Sequence, residues 1–189
     1  MSNLQRDLAF LRGVVESSRR AAHIDAAPLL AWGVLTVAGV IGVYTVPRLD
    51  SVWFWLAVIG LAWAYTGLRA WSGSAPPGVS LLAHRALHRL WFAVLTAMTL
   101  IGFVGYFSGA VPASAIVPIV ATLFGVAYVA SSALLDLRPA AAIGIAWWAL
   151  AAGLFAWRPT GQLALFGVAV LLLVVLPAAW MRRSDWSAG

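Results

Sequence analysis

Six stretches of roughly 20 apolar residues, none with a charge near its middle, constrain this chain more than any other feature. They cover residues 27–46, 52–71, 90–109, 115–135, 139–157 and 162–181. An α-helix rises about 1.5 Å per residue, so about 20 residues cross the hydrocarbon core of a bilayer. The expected fold class is all-α: a polytopic membrane protein with six transmembrane helices. Composition agrees, because 63% of the residues are hydrophobic and only 10% charged. A soluble domain carries about 25% charged residues.

Turn chemistry separates the stretches. Pro47-Arg48-Leu49-Asp50, Ser72 to Gly78 with Pro76-Pro77, Ser108-Gly109 with Pro112, Asp136 to Pro139, and Arg158-Pro159-Thr160-Gly161 each interrupt an apolar run. The fourth break is so short that spans four and five are expected to be close antiparallel neighbours. All the spans read as unbroken helices. The chain therefore divides into an N-terminal segment 1–26, a membrane domain 27–181 and a tail 182–189.

Every basic residue is Arg, and the net charge is +6. The arginines sit at span ends, which fits headgroups and topology signals rather than nucleic acid. Ten of them (Arg6, Arg12, Arg19, Arg20, Arg69, Arg85, Arg89, Arg138, Arg182, Arg183) lie on one side of a six-span layout, against Arg48 and Arg158 on the other. Cytoplasmic loops carry the excess of positive charge, so both termini are expected in the cytoplasm.

Residues 3–20 form a distinct element. Leu4, Leu8, Leu11 and Val15 fall on one helical face, with Gln5, Arg12, Glu16 and Arg19 opposite. This reads as an amphipathic helix, serving as a surface anchor or as a dock for a cytoplasmic or membrane protein partner. A second cytoplasmic element follows Pro76-Pro77. There Ser80 can cap a helix that carries His84, Arg85, His88 and Arg89 into span three.

Short words recur along the chain. Ile59-Gly60-Leu61-Ala62-Trp63, Phe124-Gly125-Val126-Ala127-Tyr128 and Phe166-Gly167-Val168-Ala169-Val170 occupy the even-numbered spans. Val34-Leu35-Thr36 and Ile41-Gly42 return sixty residues later as Val94-Leu95-Thr96 and Ile101-Gly102. The economical reading is three hairpins of one type. Gly60, Gly125 and Gly167 are expected to serve helix packing by letting neighbouring helices approach, while Gly39, Gly42, Gly102 and Gly105 thin the outer halves of spans one and three.

Groups that could carry chemistry are few. No Asp, Glu, Lys, Arg or His lies at mid-membrane, where ion-coupled transporters place theirs. There is no Cys, so thiol chemistry and thiolate metal sites are excluded. His23, His84 and His88 form the one candidate metal constellation, with His84 and His88 four apart and so on one helical face. Arg85 and Arg89 beside them disfavour a cation. Ser108 has no His on its side of the membrane, which excludes a Ser–His dyad. The membrane hydroxyls, including Thr36, Thr66, Thr99, Tyr128 and Ser131, are expected to bond backbone carbonyls or neighbouring helices.

Tryptophan is abundant, with eleven residues. Trp53, Trp55 and Trp157 read as an outer interfacial belt, and Trp71, Trp91 and Trp180 as an inner one. Trp63, Trp147 and Trp148 fall near mid-depth. They fill the bundle, face lipid or line a cavity, and with Tyr65 and Tyr128 they are the candidate ligand-binding residues.

The run Asp7-Leu8-Ala9-Phe10-Leu11-Arg12, then Val15-Glu16, leading into an apolar span, resembles a group of uncharacterised bacterial six-span inner-membrane proteins. The same-orientation hairpins, with Gly near mid-span and Pro47, Pro112 and Pro159 in or near the outer turns, are loosely similar to the acid-resistance membrane protein family HdeD. That second resemblance covers the span arrangement, implies a role in stress response and carries over no site residue. The long N-terminus and the His-bearing second cytoplasmic loop depart from it. An Arg-only, Ala-rich chain also points to a high-GC bacterium and its inner membrane.

The leading functional expectation is a non-enzymatic protein without cofactor, embedded in the lipid bilayer, that binds a hydrophobic small molecule or a protein partner. The competing expectations are a facilitator or transporter subunit for a neutral or hydrophobic solute, and a metal-binding membrane protein using the histidines.

Overall fold

A computed structural model describes residues 26–72 and 82–186, with backbone only for residues 26, 82–84 and 182–186. Every regular element among the described residues is helical. In chain order these are α1 (Ala26–Thr45), a 3-10 turn (Pro47–Leu49), α2 (Val52–Trp71), and α3 (Leu82–Thr99, continued by a π segment Leu100–Gly105). Then come α4 (Ala113–Leu135), α5 (Arg138–Trp157) and α6 (Gln162–Val170, a π segment Leu171–Val175, then Leu176–Trp186). All six helices are long and apolar enough to cross a membrane. The protein is an all-α, multi-pass membrane protein. The N-terminal amphipathic segment, His23 and Ser80 lie outside the described residues.

The helix ends follow local chemistry. The Ser51 side chain accepts the Phe54 N–H at 3.3 Å and so caps α2. Asp136 ends α4 in the left-handed region, at φ 51°, where a short polar side chain is tolerated. Both its N–H and that of Leu137 bond the Ser132 carbonyl, and Pro139 then fits the first turn of α5. The α4–α5 link is thus a two-residue reversal, as the short break implies.

Two spans are not the regular helices that hydropathy suggests. In α6 the cause is Pro177, which has no N–H to give to the Leu173 carbonyl four residues back. The chain widens into π turns just before it, with the Leu176 N–H bonding the Leu171 carbonyl. The Tyr128 hydroxyl of α4 donates to the Leu173 carbonyl at 3.3 Å. The π segment of α3 contains Gly102 and Gly105, and Val111 packs back onto Gly105.

Between helices in lipid there is little hydrophobic drive, so close packing and interhelical hydrogen bonds hold a bundle together. The tightest pair here is α4 with α5. A Cβ on Gly144 would lie 2.9 Å from the Gly125 carbonyl oxygen, so the two backbones nearly touch. On Gly125 a Cβ would strike the Trp148 indole. A second seam joins the first span to the last. A Cβ on Gly33 would fall 2.7 Å from Val175, and one on Gly167 would fall 2.8 Å from Val40. Each helix therefore offers one glycine to a valine of the other, near opposite ends of the seam.

Gly60 does not share this role. A Cβ there would meet nothing within 4 Å, and the residue faces outward. Hydropathy places a glycine at mid-span but does not say which way it faces. The hairpin grouping is also uneven: α1 packs on α2, and α3 on α4, but α5 lies chiefly on α4 and α6 chiefly on α1. Helices α5 and α6 meet through the Trp147 and Phe166 rings, 5.6 Å apart between centroids.

Candidate functional site

Indole-to-hydroxyl hydrogen bonds tie the first four helices in order. Trp32 Nε1 on α1 donates to Thr66 Oγ1 on α2 at 3.0 Å. Trp63 Nε1 on α2 donates to Thr99 Oγ1 on α3 at 3.1 Å, and Trp91 Nε1 on α3 donates to Ser131 Oγ on α4 at 3.1 Å. Each hydroxyl in turn donates to the carbonyl four residues back: Ala62, Leu95 and Ala127, at 2.9, 2.8 and 2.6 Å. The hydroxyl oxygen accepts while its hydrogen is bonded inside its own helix, so both polar atoms of each pair are satisfied without water.

These bonds turn the Trp32 and Trp91 rings toward a cavity of about 110 Å³. Helix α1 contributes Pro28, Leu29, Trp32 and Thr36, and α3 contributes Leu87, His88, Trp91 and Leu95. Phe124 of α4 and Val170 and Val174 of α6 complete the wall. The cavity reaches from the side of the bundle that holds both ends of the membrane domain to mid-span at Thr36, Leu95, Phe124 and Val170, and exposed His88 stands at the rim. Further along, α1 and α6 close on each other at Val40 and Gly167.

The wall is apolar in effect. Both indole N–H groups are given away, and the Thr36 hydroxyl donates to the Trp32 carbonyl at 2.8 Å. An enclosed apolar cavity of about 150 Å³ stays dry and takes a benzene-sized guest, whereas this one is open at the His88 rim. The space here suits one small ring or a short run of an alkyl chain.

The residues singled out from the sequence do not converge on one place. Trp147 is fully buried and stacks on Phe124, with centroids 4.7 Å apart and planes inclined by 19°. Its Nε1 is buried with no hydrogen-bond partner among the described residues. Tyr128 is buried beside it and edge-on to Trp91 at 5.3 Å. Trp148 lies on the outer side of the α4–α5 pair, half exposed, donating to the Thr122 carbonyl at 3.2 Å. Trp63 packs edge-on between Trp32 and Phe92, and Tyr65 is on the exposed face of α2. None of these five lines the cavity.

His88 does line it, whereas His23 and the His84 side chain lie outside the described residues. Trp91, read from its position as an interfacial belt residue, instead points inward, and partly buried Trp55 packs on Gly39. Trp53, Trp71, Trp157 and Trp180 are strongly exposed at the span ends, as a belt requires. The cavity residues missed from the sequence are Trp32, Thr36, Phe124 and the face of Leu87, Trp91 and Leu95. Their signal was the spacing of Leu87, Trp91 and Leu95, each one helical turn from the next.

Comparison with known proteins gives no family: no family model, curated protein or solved structure matches this chain.

Proposed function

We propose that this chain is a non-enzymatic protein of a bacterial cytoplasmic membrane that holds a small apolar molecule at the cytoplasmic end of its bundle. The observation that carries this reading is the cavity between α1, α3, α4 and α6, walled by two indole rings whose N–H groups are already bonded elsewhere. Such a wall recognises shape and ring faces rather than polar groups. The ten-to-two arginine asymmetry supports the cytoplasmic orientation. The lack of ionisable residues at mid-membrane supports binding rather than catalysis or ion-coupled transport. The closure of α1 on α6 at Val40 and Gly167 favours holding a molecule over passing it across. The size of the cavity favours a single ring or a chain end, which fits a sensing or regulatory role better than carriage of bulky solutes.

Native mass spectrometry of untagged protein released from mild detergent tests this. The wild type is expected to retain a defined small-molecule mass. Leu95→Trp, which fills the cavity from α3, is expected to lose it while keeping its helical content. A wild type that flies bare, with only scattered lipid adducts, would refute the proposal.

A further inference from the structure

The cavity has a shape as well as a size. Its walls run from Pro28 to Thr36 on α1 and from Leu87 to Leu95 on α3. At about 1.5 Å per residue, each stretch is about 12 Å of helix. An enclosed cavity of about 150 Å³ holds a benzene ring. Here about 110 Å³ is drawn out along its walls, so the space is narrow for its length.

The two ends of the cavity differ. At the inner end α1 closes on α6 one turn beyond Thr36, where Val40 packs against Gly167. The other end is open, and His88 stands exposed at its rim. On the α2 side, Trp63 spans the gap at the level of Trp32, edge-on to both Trp32 of α1 and Phe92 of α3. A guest thus lies with one end at mid-membrane and the other at the rim. That arrangement suits a molecule with one apolar tail and one head.

Charge selects the head. No Asp or Glu lies on α1 or α3, whereas α3 exposes Arg85, His88 and Arg89 at its cytoplasmic end. Basic groups at the membrane surface attract anions. Below the rim the lining residues carry no charge, so a charged head stays at the rim while its tail is buried.

We infer that the occupant is an anionic amphiphile with a single linear alkyl chain, its tail between Trp32 and Trp91 and its carboxylate or phosphate head at the His88 rim. This deepens the proposed function and rests on it, the chain being the apolar part that the cavity holds. A chain fills a narrow space that a ring does not.

The test uses the full chain, ¹⁵N-labelled at the indoles, in a steroid-tailed detergent whose fused rings do not fit the cavity. Indole resonances are assigned by their loss in single Trp→Phe variants. Decanoate supplies a linear chain with a carboxylate, adamantane-1-carboxylate the same head on a cage, and decyltrimethylammonium the same chain with a cationic head. Decanoate is expected to shift Trp32 and Trp91 saturably, with one molecule bound, and to lose this effect in Leu95→Trp. Decyltrimethylammonium is expected to bind about tenfold more weakly, and the adamantane acid to give no saturable shift. Equal binding of the cage or of the cation overturns the inference and leaves the apolar cavity standing. Silence of both indoles towards all three probes also overturns it. If the untagged protein then flies bare in native mass spectrometry, the proposed function falls as well; a retained mass that Leu95→Trp loses would keep that function with a different ligand. Decanoyl lysophosphatidylglycerol separates the two sources of such a chain. Tighter binding than decanoate assigns it to a membrane lipid, and weaker binding to a free carboxylic acid.

Discussion

Tyr128→Phe isolates the contact between the α4 hydroxyl and the α6 backbone. The change removes one oxygen and leaves the ring in place against Trp91, so it creates almost no cavity. The bond it deletes, at 3.3 Å, is long for a hydroxyl donor. Interhelical hydrogen bonds in membranes average only about 0.6 kcal/mol, which sets the ordinary scale. This acceptor is unusual, because Pro177 denies it the N–H that a regular helix would supply. Leaving a buried acceptor short of partners costs about 1–3 kcal/mol. The long bond favours the low end, so a loss of about 1–1.5 kcal/mol is expected. The decisive step repeats the substitution in a Pro177→Ala background, where residue 177 has an N–H for Leu173. There the cost is expected to fall to about 0.5 kcal/mol or less, giving a coupling near 1 kcal/mol. Equilibrium unfolding of micellar protein by increasing SDS fraction, followed by far-ultraviolet circular dichroism, measures all four corners of the cycle. Equal costs in the two backgrounds would show that Tyr128 does not compensate for the proline.

Three other outcomes are expected. Gly144→Leu drives a side chain into the Gly125 carbonyl and the Val129 backbone, and is expected to abolish the folded peak in detergent size-exclusion chromatography. Gly60→Ala, in open space on the same kind of helix, is expected to raise the thermal midpoint through about 1 kcal/mol of helix propensity. Thr99→Val removes the acceptor for Trp63 and is expected to cost about 0.6 kcal/mol in the SDS titration, a cost expected to vanish in a Trp63→Phe background.

Hydropathy made the spans legible because lipid imposes a length on each helix. Helix α2 covers Val52–Trp71, the stretch expected for it, and α4 and α5 begin within two residues of expectation. What hydropathy does not encode is direction around the helix axis. In lipid both the packed and the outer faces are apolar, so no polar stripe marks the outside. That is why Gly60 and Gly125 look alike in their short words yet face opposite environments. It is also why Gly33 and Gly144 went unmarked, although each takes part in a closest approach of two helices. Pro177 lies within a sixth stretch that reads as an unbroken helix, and only its position against Tyr128 gives the π segment its meaning. The cavity was the least legible feature. Its wall gathers residues from four helices, and nothing local in any one of them announces the gap.

The indole-to-hydroxyl rungs also bear on biosynthesis. Each joins a helix to the one made immediately before it, so the bonding partner of α2, α3 and α4 precedes each of them in the chain. The rungs stop at α4. Helix α5 docks on its predecessor by glycine contact, and α6 must return to α1, the first helix inserted. Until it arrives, the α1 face carrying Gly33 and the Trp32 side of the cavity lack their Val170 and Val174 wall. A chain that ends before α6 therefore leaves the Gly33 face of α1 and one wall of the cavity uncovered.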